Sequence, residues 1–291
     1  MFVQTNTVNS LFQYVQKKLE CDFTQSEIRV IFKSFVCKRL NWTDTDFILK
    51  KDFRLSESDL LFVRALTNRV IQGEPYQYVV GETEFFGNSF ICTPDALIPR
   101  PETEELVSLI VDSFPENQEL NIVDLCTGSG CIGISLAKYF SRAKVTLTDV
   151  SEEALNLANQ NAKRNEVEVK FLSHNLLNDN CFNSFVSNSY DLWISNPPYI
   201  SRYEILEIDH NVLSHEPHIA LFVEHENPLL FYERIAEKAR IFLRSGGFLF
   251  FEINPKYSFE LKEKMKSLGF VNIELMKDLQ GKYRMLKAQN A

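Results

Sequence analysis

The chain has 291 residues, of which 45% are hydrophobic and 24% charged, and its formal net charge is −8. This length favours two domains, and the composition is that of a folded globular protein rather than a disordered one. Most of the negative excess lies after residue 99, which argues against a long footprint on nucleic acid phosphates.

The sequence indicates neither a membrane protein nor a metalloprotein. No apolar run approaches the roughly 20 residues that span a bilayer, and the N-terminus lacks the basic and apolar segments of a leader. The six cysteines are scattered without a C-x-x-C pair, so we expect reduced thiols and a cytoplasmic protein. Most histidines lie between His210 and His225, but none forms an H-E-x-x-H motif, and no metal is expected.

Residues 1–72 have the pattern of a small helical bundle. Apolar residues recur at helical spacing, and Thr24-Gln25-Ser26-Glu27 has the form of a capping box at a helix start. The residues expected to face the core are Val8, Leu11, Phe12, Val15, Leu19, Ile28, Ile31, Phe32, Phe35, Val36, Leu60, Val63, Leu66 and Val70. The pattern itself says little about function, and it favours a structural or partner-docking module.

Residues 73–99 are predicted to form a linker that contains a β-hairpin. Apolar segments at residues 83–86 and 89–92 flank Gly87-Asn88, which is a two-residue turn signal. Prolines in Ile98-Pro99-Arg100-Pro101-Glu102 then stiffen the approach to a helix that begins near Glu102. Arg100 and Glu102 are candidates for a charged pair that lines a cleft.

Residues 100–291 alternate between strand and helix patterns. Strands are predicted at residues 121–125, 144–149, 168–172, 191–195, 247–252, 271–276 and 284–287. Helices are predicted between them, including residues 134–140, 228–243 and 257–267. This alternation predicts an α/β fold with a mostly parallel sheet and helices on both faces.

A glycine-containing turn follows the first of these strands. Cys126-Thr127-Gly128-Ser129-Gly130 comes after Asp124-Leu125, and the next strand ends in Asp149. Glycines let the backbone approach a ligand, and an acid after the second strand can accept ribose hydroxyls. The spacing is not the G-x-G-x-x-G of a pyrophosphate site, so the pattern favours a nucleoside ligand without a diphosphate, such as S-adenosylmethionine. Cys126 stands where a glycine would be expected in such a turn, which is tolerable only if its φ is negative.

The segment Asn196-Pro197-Pro198-Tyr199 follows the buried strand at residues 191–195. Two prolines fix the backbone and remove two N–H donors, so the turn presents acceptors. Asn196 adds a side-chain oxygen, and Tyr199 adds a flat aromatic face. A planar nitrogen with two N–H donors fits this arrangement, although an ordinary proline-rich turn has the same pattern.

Together these motifs resemble the release factor glutamine N5-methyltransferases, the PrmC/HemK family of class I S-adenosylmethionine-dependent methyltransferases. The resemblance runs from about Gly73 to Tyr283. Its segments are Ile98–Glu104 (IPRPETE), Asp124–Gly130 (DLCTGSG), Asn196–Ile200 (NPPYI), Glu216-Pro217 and Asp278–Gly281 (DLQG). IPRPETE is the segment that distinguishes this family, because NPPY is shared with methyltransferases that act on adenine and other amino groups.

The resemblance implies a seven-stranded Rossmann-like domain at residues 100–291 behind a helical domain. It implies methyl transfer to the side-chain nitrogen of the glutamine in the Gly-Gly-Gln loop of class I peptide chain release factors. The implied cofactor-binding residues are Cys126, Thr127, Gly128, Ser129, Gly130, Asp149, Asn175, Leu176 and Asn196. Asn196, Pro197 and Tyr199 are the implied catalytic residues, and Pro198, Arg100 and Glu102 join them in binding substrate.

Two other functions fit part of the pattern. A DNA adenine methyltransferase would use the same turn on a flipped base, but the chain has no basic surplus and no room for a target-recognition domain, and direct nucleic acid binding is not expected. A non-catalytic binding module would keep only the fold. The presence of Asn196 and Tyr199 argues against the second alternative.

Overall fold

The computed structural model describes residues 3–223 and 226–291. Met1 and Phe2, where the leader was assessed, and His225, at the end of the histidine-rich stretch, lie outside the described residues. The chain divides into two compact units, Met1–Glu82 and Thr83–Ala291. In the described part of the chain, no helix is both long enough and apolar enough to cross a membrane.

The first unit is helical. Its helices are Val8–Leu19, Gln25–Leu40, Asp44–Leu49, Glu57–Ile71 and Tyr76–Val80. The first four each begin after a Ser or Thr whose side chain accepts a backbone N–H of the first turn. The residues expected in the core are buried, except Phe12, which is partly buried. The helix Tyr76–Val80 was not predicted, because a single turn is too short to show a period.

The hairpin is present, with a turn one residue earlier than predicted. Its strands are Glu82–Phe85 and Asn88–Ile91, so the turn residues are Phe86 and Gly87 rather than Gly87 and Asn88. Both have positive φ, at 49° and 68°, as a tight hairpin turn requires. The Phe86 N–H donates to Glu104 Oε1 at 3.0 Å, which holds this unusual conformation.

The second unit contains a seven-stranded sheet. In chain order its strands are Asn121–Leu125, Lys144–Asp149, Lys170–Ser173, Tyr190–Ser195, Leu243–Glu252, Phe270–Lys277 and Tyr283–Asn290. The first five are parallel, and Tyr283–Asn290 pairs antiparallel with both Leu243–Glu252 and Phe270–Lys277. The predicted mostly parallel α/β class is confirmed.

Helices cover both faces of this sheet. They are Pro101–Ser113, Cys131–Tyr139, Glu152–Arg164, Leu230–Phe242 and Ser258–Ser267, and two short helices, His210–His215 and His218–Leu221, follow the strand Tyr190–Ser195 in the chain. Successive residues of a strand point to opposite faces of the sheet and pack in different hydrophobic clusters. Phe250 packs with Leu106 and Ile134, and Phe251 packs in the cluster that contains Ile235. The apolar strands are therefore buried on both faces, as parallel strands usually are.

The strand order places the ligand site. Asn121–Leu125 lies between Lys144–Asp149 and Tyr190–Ser195. The next two strands in the chain are added on one side of it and the fourth on the other side, so the strand order reverses here. Ligands of open α/β sheets bind at the carboxyl ends of the strands at such a point. Leu125 pairs with Ser195, and the Ser195 hydroxyl donates to the Leu125 carbonyl at 2.6 Å. This pairing brings the glycine-containing turn and the NPPY turn together.

Candidate active site

A cavity of about 260 Å³ opens at the carboxyl ends of the central strands. The predicted site residues that line it are Arg100, Cys126, Thr127, Gly128, Ser129, Asp149, Asn175, Leu176, Asn196 and Pro198. Gly130, Pro197, Tyr199 and Glu102 are predicted site residues that do not line it. Motifs far apart in sequence therefore share one cavity, but not every residue of each motif faces it.

The glycine-containing turn has three left-handed residues. Cys126, Gly128 and Gly130 have φ values of 57°, 54° and 83°. The expected negative φ at Cys126 is wrong: the residue adopts the conformation that the replaced glycine would have. A side chain at Gly130 would be more costly, because its Cβ would lie 2.7 Å from Ile134 Cδ1 and 3.1 Å from Ala158 Cβ, and these neighbours would have to shift.

Asp149 connects the turn to the end of the second strand. Its Oδ2 accepts the Gly128 N–H at 2.9 Å, and its Oδ1 accepts the Ser151 N–H at 3.0 Å. Burial raises the pKa of this carboxyl, and the two backbone donors oppose that effect. Each oxygen has a second lone pair, so Asp149 can still accept hydroxyl donors from a ligand in the cavity.

Asn175 and Leu176 line the cavity beside Asp149, because Ser173 pairs with Asp149 in the sheet. The Asn175 side-chain oxygen accepts the Leu177 N–H at 2.9 Å, so this residue also shapes its own turn. The preceding residue, His174, is buried against Phe182 and Phe185. Burial lowers the pKa of His174 to about 4, so its ring is neutral at physiological pH.

Partly buried hydrogen bonds hold the NPPY turn. Asn196 Nδ2 donates to Thr103 Oγ1 at 3.5 Å, and the Tyr199 hydroxyl donates to Glu252 Oε1 at 3.3 Å. The Tyr199 carbonyl accepts from Asn254 Nδ2 at 3.3 Å. The Tyr199 ring packs against the core cluster that contains Trp193 and Tyr232, and burial raises the pKa of its phenol.

Arg100 and Glu102 do not form the expected pair. Arg100 pairs with Glu216, whose side chain is 1% exposed and whose other oxygen accepts the Ile98 N–H at 3.3 Å. Glu102 instead accepts from Gln280 Nε2 at 3.2 Å. The two residues flank Pro101 at the start of the helix Pro101–Ser113, where the backbone changes from extended to helical, and their side chains find different partners.

Three polar residues at the site were not identified as functional from the sequence. They are Thr103, Glu216 and Glu252, which are all buried. A signal existed for Glu252, because it ends an apolar strand in the same way that Asp149 does. Thr103 and Glu216 had only their places in the motifs IPRPETE and Glu-Pro.

Asp124 holds the glycine-containing turn through two hydrogen bonds. Its Oδ2 accepts from Thr127 Oγ1 at 2.6 Å and from the Gly133 N–H at 3.0 Å, which ties the strand to the turn and the following helix. Its Oδ1 has no hydrogen-bond partner within the described residues. Burial raises the pKa of Asp124 to about 7.

The residues around the cavity can bind the hydroxyl groups of one ligand and accept a hydrogen bond from a second. Asp149 and the left-handed turn offer a carboxylate and close-approaching backbone to the hydroxyl groups of a ligand. Asn196, in the wall of the same cavity, carries an amide whose Nδ2 already has a partner, so its oxygen remains as an acceptor for a second molecule. The cavity therefore suits a reaction between two bound molecules.

Comparison with known proteins gives two family matches and close relatives. A family described as "Methyltransferase small domain" matches residues 102–219, and "PrmC N-terminal domain" matches residues 13–81. A release factor glutamine methyltransferase of Bacteroides thetaiotaomicron is 38% identical, covering 97% of this chain and 99% of the relative. Another, of Flavobacterium psychrophilum, is 40% identical, covering 94% and 96%.

A solved structure agrees with this fold. A methyltransferase from Pyrococcus furiosus superimposes with a TM-score of 0.51 at 21% identity, covering 71% of this chain and 90% of that one. The relatives match nearly the whole length of both chains, including both compact units. The chain belongs to the release factor glutamine methyltransferase family.

Proposed function

We propose that the protein transfers a methyl group from S-adenosylmethionine to the side-chain amide nitrogen of the glutamine in the Gly-Gly-Gln loop of peptide chain release factors. The observation that carries the proposal is that Asn196, directly after one strand, and Asp149, at the end of another, line one cavity. The first is suited to an amide substrate and the second to a ribose. Membership in a family whose relatives bear this activity in their names supports it.

The residues around the cavity fit S-adenosylmethionine. Asp149 retains lone pairs for ribose hydroxyls, and the backbone at Gly128 has no side chain to obstruct a ligand. Leu176 and Ile132 give apolar surface for a purine, and Asn175 Nδ2 is a nearby donor. When bound, this cofactor supplies an electrophilic methyl group on a sulfonium.

The residues of the chain have to orient a weak nucleophile. An amide nitrogen shares its lone pair with its carbonyl, so it reacts slowly unless it is held in position. Asn196 Oδ1 would accept one of its two N–H bonds, fix the amide plane and favour positive charge on the nitrogen. The Pro197 carbonyl, which belongs to the same turn although Pro197 does not line the cavity, is the proposed acceptor of the other N–H. The two prolines keep these acceptors rigid. No strong base is needed before transfer, because the proton can leave afterwards.

The Tyr199 ring was expected to offer its flat face to the substrate, but we propose a different role for it. Its hydroxyl is engaged with Glu252 and its ring packs in the core, so it would fix the shape of the turn. Arg100, held by Glu216 at the cavity wall, is positioned to meet the backbone of the incoming loop. Glycines on that loop would allow it to approach, since they present no side chains.

We also propose a cytoplasmic location for the protein and a separate role for its helical unit. The described structure has six free cysteines and no disulfide, which suits the cytoplasm, where translation ends. The helical unit is a candidate for holding the body of the release factor. Direct binding of nucleic acid or membrane is not part of the proposed function.

Mass spectrometry tests this function. Unmodified release factor is incubated with the full chain and S-adenosylmethionine, digested, and searched for a peptide that has gained one methyl group. The expected site is the glutamine of Gly-Gly-Gln, and a factor with alanine there is the control. Methylation of duplex DNA adenine, with the factor left unmodified, would overturn the proposal. The same holds if the active chain methylates a different residue of the factor.

A further inference from the structure

One buried carboxylate connects both polar side chains of the NPPY turn. Glu252, at the end of the strand Leu243–Glu252, is 2% exposed. Its Oε2 accepts from Thr103 Oγ1 at 2.6 Å, and its Oε1 accepts from the Tyr199 hydroxyl at 3.3 Å. Thr103 Oγ1 in turn accepts from Asn196 Nδ2 at 3.5 Å. The two side chains thus share one support.

The sheet makes this meeting possible. Ser195 pairs with Phe251, so the residues that follow them, Asn196 and Glu252, leave neighbouring strands side by side. Thr103 reaches the same place from the first turn of the helix Pro101–Ser113, where Pro101 sets the starting direction. Thr103 is 3% exposed, so its hydroxyl depends on these protein partners.

The hydrogen bonds in this chain can run in only one direction. In its ionised form Glu252 accepts and cannot donate, so the single proton of the Thr103 hydroxyl points to it. The Thr103 oxygen then has only lone pairs to offer, and the Asn196 group that meets it has to be the NH₂. Asn196 Oδ1 consequently points the other way. The oxygen and the NH₂ group of an Asn amide have nearly the same shape, so the hydrogen-bond partners alone determine which of them occupies each position.

The ionised form of Glu252 needs stabilising partners, because its carboxylate is buried. Burial raises the pKa of Glu252 above its ordinary value, although the Thr103 hydrogen bond and the positive charge of Arg284 act in the opposite direction and favour the ionised form. Arg284 also binds Asp278 at 3.3 Å, so it is held near the carboxylate. In a low-dielectric interior, a hydrogen-bond chain that begins at a charge polarises each later member. Asn196 Oδ1 would be a stronger acceptor at the end of this chain.

We propose that Thr103 and Glu252 are positioning residues that fix the polarity of Asn196, so that its oxygen faces the substrate. The inference rests on the proposed function. It assigns a specificity as well as a rate: an acceptor-only wall receives a primary amide, which brings two N–H donors, and rejects a carboxylate of the same shape. Glutamine is therefore distinguished from glutamate by the direction of one hydrogen-bond chain.

The central experiment uses Thr103→Val in the full chain, because valine keeps the shape and removes the hydroxyl. Turnover of a Gly-Gly-Gln peptide is expected to fall on the order of 10²-fold, since the Asn196 amide can then rotate. Binding of S-adenosylmethionine, measured by calorimetry, should be unchanged, which also reports that the variant is folded. Thr103→Ser restores the hydroxyl and should recover most of the lost turnover.

Inhibition by a Gly-Gly-Glu peptide shows whether Thr103 positions Asn196 or only supports the local packing. In the wild type this peptide should inhibit poorly, because two acceptors would meet. In Thr103→Val the rotated amide can donate to the carboxylate, so inhibition should strengthen while the KM for the glutamine peptide rises. A packing defect would instead weaken both peptides together, and that result would overturn the inference.

Two further variants complete the test. Thr148→Val is a matched control, because Thr148 is equally buried and its hydroxyl has no hydrogen-bond partner within the described residues; it should show no change in selectivity. Glu252→Gln removes the charge, lets the Thr103 proton turn, and should shift selectivity in the same direction as Thr103→Val. If the wild type fails to methylate, the proposed function fails; if it methylates and both variants keep its selectivity, only this inference fails.

Discussion

Asn196 illustrates how a single residue depends on where its strand ends. It follows Tyr190–Ser195, whose last residue is hydrogen-bonded to the strand beside it, so the backbone on the N-terminal side is rigid. Pro197 and Pro198 make the other side rigid. The side chain therefore has little freedom except rotation of its amide, which Thr103 limits.

Asn196→Ala should retain cofactor binding while turnover falls by on the order of 10²–10³, because one preorganised acceptor for the substrate amide is lost. Methyl incorporation into release factor gives the rate, and calorimetric titration gives the cofactor affinity. Near-normal turnover would remove Asn196 from the mechanism.

Asp149→Ala should have the complementary effect. Affinity for S-adenosylmethionine is expected to weaken by about 1.5–3 kcal/mol, because ribose hydroxyls lose a charged acceptor. Calorimetry measures this change, and thermal unfolding checks that the turn, which Asp149 also holds through Gly128, has survived. Unchanged affinity in a folded variant would leave Asp149 with a structural role alone.

Asp124 should make stability depend on pH. Burial raises its pKa to about 7 in the folded protein from an ordinary value of 3.8. Between these values the folded state keeps a proton that the unfolded state has released, so its contribution to the free energy of unfolding is largest below pH 4 and declines as the pH rises to 7. Urea titrations of wild type and Asp124→Asn across this range should show the wild type losing stability relative to the variant. An opposite slope would contradict the assignment.

At the scale of elements, the glycine-containing turn joins a strand to the helix Cys131–Tyr139 through alternating left-handed residues. Cys126 occupies one of these positions although it is not glycine. A side chain in this conformation costs about 1–2 kcal/mol relative to a right-handed one. The turn therefore holds a local strain that the sequence pattern concealed.

Cys126→Gly should raise the free energy of unfolding by about 0.5–1 kcal/mol, because relief of the left-handed strain exceeds the lost backbone entropy and packing. Cys131→Gly is the comparison variant: this cysteine is buried, whereas Cys126 is partly buried, and it lies at the start of a helix with no left-handed strain to relieve. It should lower stability by about 1 kcal/mol. Chemical denaturation measures both, and equal losses would show that Cys126 is not strained.

For the whole molecule, the two compact units have separate cores. The helical unit buries Leu11, Phe35 and Val80 in its own cluster, and the sheet unit has a core on each face. Residues 73–82, predicted as part of the linker 73–99, belong by contacts to the helical unit. The segment Thr83–Ala291 contains the entire seven-stranded sheet and should fold by itself.

Removal of the helical unit should affect a large substrate more than a small one. A chain that begins at Thr83 is expected to methylate a short Gly-Gly-Gln peptide with nearly the same KM as the full chain, whereas the KM for whole release factor should rise, because remote contacts are lost. Steady-state kinetics with both substrates measures the difference. An equal rise for both would place the defect in the catalytic unit.

The sequence by itself determined the fold class, the strands of the sheet, the longer helices, and the motifs that meet at the cavity. These features are local: strand alternation, helical periodicity and a proline-fixed turn act over a few residues and need no distant partner. The core residues of the first unit, such as Leu11 and Phe35, were predicted for the same reason. Family resemblance added the reaction, which no local pattern specifies.

Only the tertiary structure decided which polar groups pair. Thr103 is separated from Glu252 by 149 positions, and Arg100 from Glu216 by 116. Such pairs depend on strand order and on the register of Ser195 with Phe251, which periodicity does not encode. For this reason Arg100 was matched with Glu102, its neighbour in sequence, rather than with Glu216. The positive φ at Cys126 was likewise set by the turn that the surrounding strands impose, against the preference of the residue itself.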